Sequence, residues 1–175
     1  MALVRRRLAT DPTPRETSPA SLNVVSPDAT EFFFGRAGPA AEVHVVGSLP
    51  ELHDVLVRHR DQVEWPVTLD LLGHSTRGHR LLRLGDTPID MLNPAVARFF
   101  RRLADQGLPP PLQVDAVRLL GCETAVTAAG QRTLRMLSQT LRVPVYGTSR
   151  PLLRGHMNAA GFNPVFSHLL EEAAV

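Results

Sequence analysis

Lysine is missing from this chain of 175 residues: all 19 of its basic residues are arginine. An exclusive use of arginine is a coding bias of the kind a GC-rich genome produces, and it carries no functional information. Cysteine is nearly missing too. Cys122 is the only one, so the chain closes no internal disulfide and does not read as a small, stapled, secreted fold. No apolar run suits a membrane span. The first twenty residues hold arginines but no continuous apolar stretch of the secretory type. A cytoplasmic protein without membrane contact is expected.

Charge of one sign is also scarce. The formal net charge is +2, and the arginines are scattered apart from "RRR" at 5–7 and the pair Arg101 and Arg102. A nucleic-acid binder more often gathers a strong basic excess on one face, so no nucleic-acid partner is expected. No CxxC or HExxH spacing occurs, and His79, five residues after His74, has no further ligands at a suitable spacing. The Gly and Ser content of 146–155 makes no phosphate loop. No metal and no cofactor are expected. No repeat of fixed period is visible.

A hydrophobic content of 43% is enough for one sizeable core at this length. Residues 1–20, with three prolines and little periodicity, read as a flexible tail, and 21–175 as one domain. "SLNVV" suits a strand, and "EFFFG" carries aromatics to be buried. From residue 43 strands and helices alternate. "VHVV" (43–46) is β-rich. Ser48 and Glu51 form a capping box, and Leu52, Val55, Leu56 and His59 share one helical face. "VTLDLL" (67–72) is a strand, followed by an extended or hairpin excursion over 79–90. Asn93-Pro94 opens a helix with the stripe Val96, Phe99, Phe100 and Leu103, and Gly107 suits its C′ position. "DAVRLL" (115–120) is a strand, about 129–142 a helix, "VPVYG" (143–147) a strand. Asn163-Pro164 caps a final helix through Val165, Phe166, Leu169 and Leu170. The alternation predicts an α/β three-layer sandwich with a mostly parallel central sheet and helices on both faces.

Two of these strands end alike. "DLLGH" closes the first and "RLLGC" the second. If they are neighbours in a right-handed βαβ unit, they lie about 4.8 Å apart. Their equivalent ends then set His74 and Cys122 side by side at the carboxyl edge of the sheet, where open α/β sheets place their ligands. An imidazole beside a thiol takes its proton and later protonates a leaving amine. The oxyanion formed meanwhile needs fixed donors. Backbone N–H groups in the turns after the two strands are the candidates, and Gly73 and Gly121 permit tight turns there.

These stretches, "LLGHSTRG" and "LLGCETA", resemble clan CD cysteine peptidases, the caspase-like fold, with His before Cys by 48 residues. "CET" looks particularly like the CHAT branch, and "GHSTRGHRLLRLG" looks like a related bacterial domain. The similarity spans roughly residues 43–150. It implies a caspase-like sandwich that hydrolyses a peptide bond through a thioester, with Cys122 as nucleophile and His74 as general base and acid. Ser75 stands where the family usually has Gly, at a position whose N–H often serves the oxyanion. The resemblance also puts "YGTSRPLLRG" (146–155) beside the substrate cleft, where Arg150 or Arg154 would receive an acidic side chain in a bidentate pair. The implied partners are a protein or peptide substrate and a regulatory protein.

Other residues have plainer readings. His44 and His59 read as structural histidines. Asp70 reads as structural rather than as a third catalytic member, and Glu123 as a turn residue, a helix-end anion or a modulator of the thiol. Two rival functions fit the same pattern: a catalytically silent caspase-like module that binds a partner, and an unrelated doubly wound domain holding a small ligand at the same sheet edge.

Overall fold

The structure is a computed structural model and describes residues 20–60, 67–107 and 114–174. The tail expected at 1–20 lies outside these residues except for Ala20. That residue opens the first strand, β1 (Ala20–Val25). A short helix α1 (Thr30–Phe34) follows, then β2 (Val43–Val45), α2 (Leu49–Arg60) and β3 (Val67–Leu72). After β3 comes a small hairpin, β4 (Arg83–Leu84) and β5 (Thr87–Pro88). Then come α3 (Pro94–Asp105), β6 (Val114–Leu120), α4 (Ala128–Leu141), β7 (Val145–Thr148), a second small hairpin of β8 (Met157–Asn158) and β9 (Gly161–Phe162), and β10 (Leu170–Glu172).

The central sheet has six strands in the order β10-β7-β6-β3-β1-β2. All pairings are parallel except that of the edge strand β10 with β7. β3 sits in the middle and is buried along its whole length, which explains why "VTLDLL" reads as a continuous run rather than an alternation. No helix among the described residues is long and apolar enough to cross a membrane.

The apolar stripes read from the sequence face the sheet. Leu52, Val55 and Leu56 of α2, Val96, Phe100 and Leu103 of α3, and Leu134, Leu137 and Leu141 of α4 join one buried cluster with Leu22, Leu69, Leu71, Val117 and Leu119 of the strands. Asn93 caps α3 by accepting from Ala95 N at 2.9 Å. The Ser48–Glu51 box forms as well, with Glu51 N donating to Ser48 Oγ at 3.3 Å and the Glu51 carboxylate accepting from Gly47 N at 2.9 Å.

All three long helices therefore lie on one face. Helices on both faces were expected; on the opposite face the only α-helix among the described residues that packs is the short α1, and the stretch after β7 covers the rest, through Phe33, Phe34, Leu152, Phe162 and Leu169. The handedness of the crossovers accounts for this. The chain leaves β1 toward β2 on one side, then runs from β2 over to β3 and onward to β6 and β7 in the other direction. Right-handed crossovers put α1 on one face and α2, α3 and α4 on the other. The reversal also makes the carboxyl ends of β1 and β3 the switch point of the sheet.

The expected final helix is a correction. Asn163 caps as predicted, accepting from Val165 N at 3.1 Å. The turns that follow over Pro164–Leu169 are of the tighter 3-10 type, with Val165 pointing into solvent, and Leu170 already belongs to β10. The free edge of β7 decides this. Left bare it would present unpaired backbone groups. Leu170–Glu172 pairs with it, and Ser149 N donates to Leu169 O at 2.9 Å.

Beneath β9 the sheet carries a buried ion pair. Asp70 is fully enclosed, and Arg118, its register partner on β6, donates to both carboxylate oxygens at 2.5 Å. The guanidinium lies 5.3 Å from the centroid of the Phe162 ring. Burial pushes the Asp70 pKa up to about 6 against the opposing pull of Arg118. A carboxyl that holds its proton more tightly when folded adds stability at low pH. That contribution is lost as pH rises from the unfolded value near 3.8 to the folded value near 6. Denaturant titrations of the parent and of Asp70→Asn across pH 3.5–7 are the check. The parent should lose stability relative to the variant over that window, and a difference independent of pH would contradict the assignment.

Candidate functional site

The pairing of β3 with β6 sets Leu71 opposite Leu119 and Leu72 opposite Leu120. Leu72 and Leu120 point to the face covered by α1. Side chains alternate along a strand, so the residues two positions further on return to that face. His74 and Cys122, each two residues past the end of its strand, do so through their contacts with that buried cluster. The His74 ring lies against Phe32 and Phe33, with centroids 5.5 and 6.4 Å away. The Cys122 Sγ lies 3.9 Å from the carbonyl oxygen of Leu152, a residue of the same buried cluster. The structure thus brings the two sequence-predicted residues to one edge and one face. The described residues contain no hydrogen bond between them.

The imidazole is oriented from the other side. Its Nε2 is 3.2 Å from the carbonyl oxygen of Asp28, in the turn after β1. A carbonyl only accepts, so Nε2 carries the proton in the neutral ring and Nδ1 is the basic nitrogen. The turn is itself held. Ser26, fully buried, donates to the Asp28 carboxylate and accepts from Gly85 N at 2.8 Å. The other carboxylate oxygen of Asp28 takes Arg83 Nη2 at 2.7 Å.

The cysteine turn is fixed with equal care. Thr124 Oγ1 donates to Leu119 O at 2.8 Å and accepts from Thr148 N at 2.8 Å. Thr148 Oγ1 donates to Gly121 O at 2.5 Å. Both threonines are buried and satisfied, so the turn cannot shift without exposing them. Glu123, directly after the thiol, adopts a left-handed backbone at φ 60°, and so does Arg80 at φ 54°. Such positions are costly for residues with side chains and gather at functional sites. These two face each other as an ion pair at 3.3 Å. Thr127, the cap of α4, also donates to His79 O at 2.5 Å. The segment after His74 is thereby tied to the cysteine turn by Arg80 and His79, and to the β1 turn by Arg83 and Gly85.

Ser75 does not strain the backbone. It is not among the residues with positive φ, so a serine fits where the resemblance expects glycine. Its side chain explains Gly121: a Cβ there would stand 2.5 Å from Ser75 Oγ and 3.0 Å from both Leu82 and Thr124. The Ser75 hydroxyl is sealed from water and has no hydrogen-bond partner among the described residues. Gly73 is needed for a related reason, because a Cβ there would collide with the Arg83 carbonyl. Ser75 pairs with Leu82 through bonds made by its neighbours, Thr76 N to Leu81 O at 2.8 Å and Arg83 N to His74 O at 2.9 Å. Its own N–H and that of Cys122 have no acceptor among the described residues. Both N–H groups are unspent.

Arg150 reaches this edge through its backbone, its carbonyl accepting from Glu123 N at 3.4 Å. Arg154 is exposed, and its guanidinium covers Gly35 at the end of α1. Neither forms an ion pair with a described residue. Asp70 is committed to Arg118, four positions before His74 on β3. His44 and His59 stack edge to face with centroids 5.2 Å apart. Burial lowers the pKa of both, helped by Arg58. Among the described residues no three His, Cys, Asp or Glu side chains are grouped to hold a metal ion. Two concavities lie away from this edge: one of about 390 Å³ between α2 and α3, lined by His53, Phe99 and Gln106, and one of about 300 Å³ by Arg135, Arg142 and Glu172. Asp28, Arg83, Thr124 and Thr148 were not read as site residues from the sequence.

The fit of Ser75 to Gly121 is testable. Gly121→Ala should lower the melting temperature by an amount corresponding to about 1–3 kcal/mol of overpacking, and adding Ser75→Gly should restore part of it. A Gly121→Ala protein as stable as its parent would contradict the packing.

No family model and no curated protein matches the chain.

Proposed function

We propose that this chain is a caspase-like cysteine peptidase domain, similar to bacterial CHAT-type domains, that hydrolyses a peptide bond with Cys122 as nucleophile and His74 as general base and acid. The observation that supports the reading is that His74 and Cys122 follow the paired ends of β3 and β6, at Leu72 and Leu120, and pack on the same face of the sheet.

The chemistry follows from the site. The thiol of Cys122 gives its proton to Nδ1 of His74 as the sulfur attacks the substrate carbonyl. The negative charge on that oxygen falls to the N–H groups of Ser75 and Cys122, which need no rearrangement. The C–N bond breaks, and the imidazolium returns its proton to the leaving amine. A water molecule then attacks the thioester, His74 taking its proton; the C–S bond breaks, the acid leaves, and the imidazolium returns that proton to the sulfur, restoring the thiol. Asp28 stabilises the imidazolium through its carbonyl and holds the ring in one tautomer. Glu123, paired with Arg80, is a structural neighbour of the thiol rather than a second base.

A second reading has its own support. The imidazole and the thiol share no hydrogen bond, which favours a silent module that keeps the fold to bind a regulatory protein. Catalytic hydrogen bonds are often long in the absence of substrate, and this keeps the enzyme reading ahead.

Peptidyl electrophiles separate the two. The protein should be labelled at Cys122, as read by intact mass and peptide mapping, and His74→Ala should slow labelling by about 100-fold or more, the usual worth of a general base. Labelling that is indifferent to His74 would leave the silent module as the better account.

A further inference from the structure

The side chains nearest the dyad have unequal freedom. The two carboxylates beside it are taken: Asp28 by Arg83 at 2.7 Å and Glu123 by Arg80 at 3.3 Å. A cationic substrate side chain would have to displace an arginine to reach either. The guanidinium of Arg154 is laid over Gly35 at the far end of α1, and the exposed Glu31 stands on the same helix.

Apolar side chains are open at this edge as well. Phe32 is 43% exposed although its ring centroid is 5.5 Å from that of His74. Leu153 is 57% exposed, and it directly follows Leu152, whose carbonyl touches the Cys122 sulfur. The two are borne by adjoining elements, since Arg154 packs on Gly35 at the end of α1 and Leu152 lies in one cluster with Phe33 and Phe34. Val126, in the cysteine turn, is 52% exposed. Large apolar side chains left in water around a reactive centre are a binding feature.

Given the peptidase reading above, on which this rests, we propose that Phe32 and Leu153 wall a subsite for a bulky apolar side chain, so that the peptide substrate carries a residue such as Leu or Phe at the scissile bond. Phe32 packs beside the imidazole, and Leu153 follows the residue whose carbonyl meets the thiol. An apolar side chain seated between them would displace water from both and bring the carbonyl to the sulfur. Arg150 and Arg154 then border the subsite without forming its floor.

The test is a set of peptidyl acyloxymethyl ketones identical except for Leu, Phe, Asp or Arg beside the ketone, applied to the whole chain. The second-order rate of Cys122 labelling is read by intact mass. The Leu and Phe probes should react at least about 10-fold faster than the others, as expected for one side chain in an apolar pocket. Phe32→Ser and Leu153→Ser should each reduce that advantage several-fold, and Phe32→Leu should retain most of it, with thermal melts confirming that the variants fold. A faster Asp probe would transfer the specificity to Arg150 and Arg154 and overturn the proposal. So would a faster Arg probe, equal rates for all four, or an unchanged ratio in both serine variants. If no probe labels Cys122 while iodoacetamide does, the peptidase reading itself falls and the subsite with it.

Discussion

Everything at this site depends on the register between β3 and β6. The two strands are parallel, adjacent and paired through Leu72 and Leu120, so their chains leave the sheet at the same height. A slip of one residue would turn His74 or Cys122 to the helix-bearing face and separate them by the thickness of the sheet. The register is specified by burial on both sides of β3, where every residue from Val67 to Leu72 is enclosed. The apolar core therefore does for the site what no single polar contact could do.

A second layer of constraint sits above the sheet. The segment after His74 doubles back as β4 and β5 and reaches both neighbouring turns. Arg83 and Gly85 bind the turn after β1, and Arg80 and His79 bind the turn after β6. The turn holding Cys122 is anchored from β7 through Thr148. These bonds explain why two residues with side chains, Arg80 and Glu123, tolerate left-handed backbones: each is tied down by its neighbours and by the other. Single exposed ion pairs are weak, but here they act together with buried hydroxyls and closed turns, and the combination limits how far the imidazole and the thiol can separate.

The parts of this arrangement differ in how readable they were from the residues. The repeated Leu-Leu-Gly ends were legible because strand pairing and side-chain alternation obey simple periods, and a helix between the two strands signals a parallel neighbour. The helix caps at Ser48 and Asn93 were legible for the same kind of local reason. The contact of Asp28 with His74 was not, because it is made by a backbone carbonyl, which has no sequence signature. The arginine ties were not, because nineteen arginines look alike until the fold brings two of them to the edge. Ser75 raised a doubt about backbone strain that only its φ angle and its fit over Gly121 resolve. The end of the chain misled for a tertiary reason: a helical pattern over Val165–Leu170 gave way to the unpaired edge of β7.

The proposed function gives Cys122 the part of nucleophile and His74, with its tautomer set by the Asp28 carbonyl, the part of base. Its central claim is that His74 serves Cys122. The most direct measurement is a crystal structure of the protein with a peptidyl ketone attached to the Cys122 sulfur. The account predicts a His74 ring nitrogen within about 3–4 Å of the sulfur or of the newly bonded carbon's leaving side, the distance at which a proton moves. A ring more than about 7 Å away, still bonded to Asp28 and with no movement of the intervening turns, would be beyond the reach of proton transfer and would contradict it.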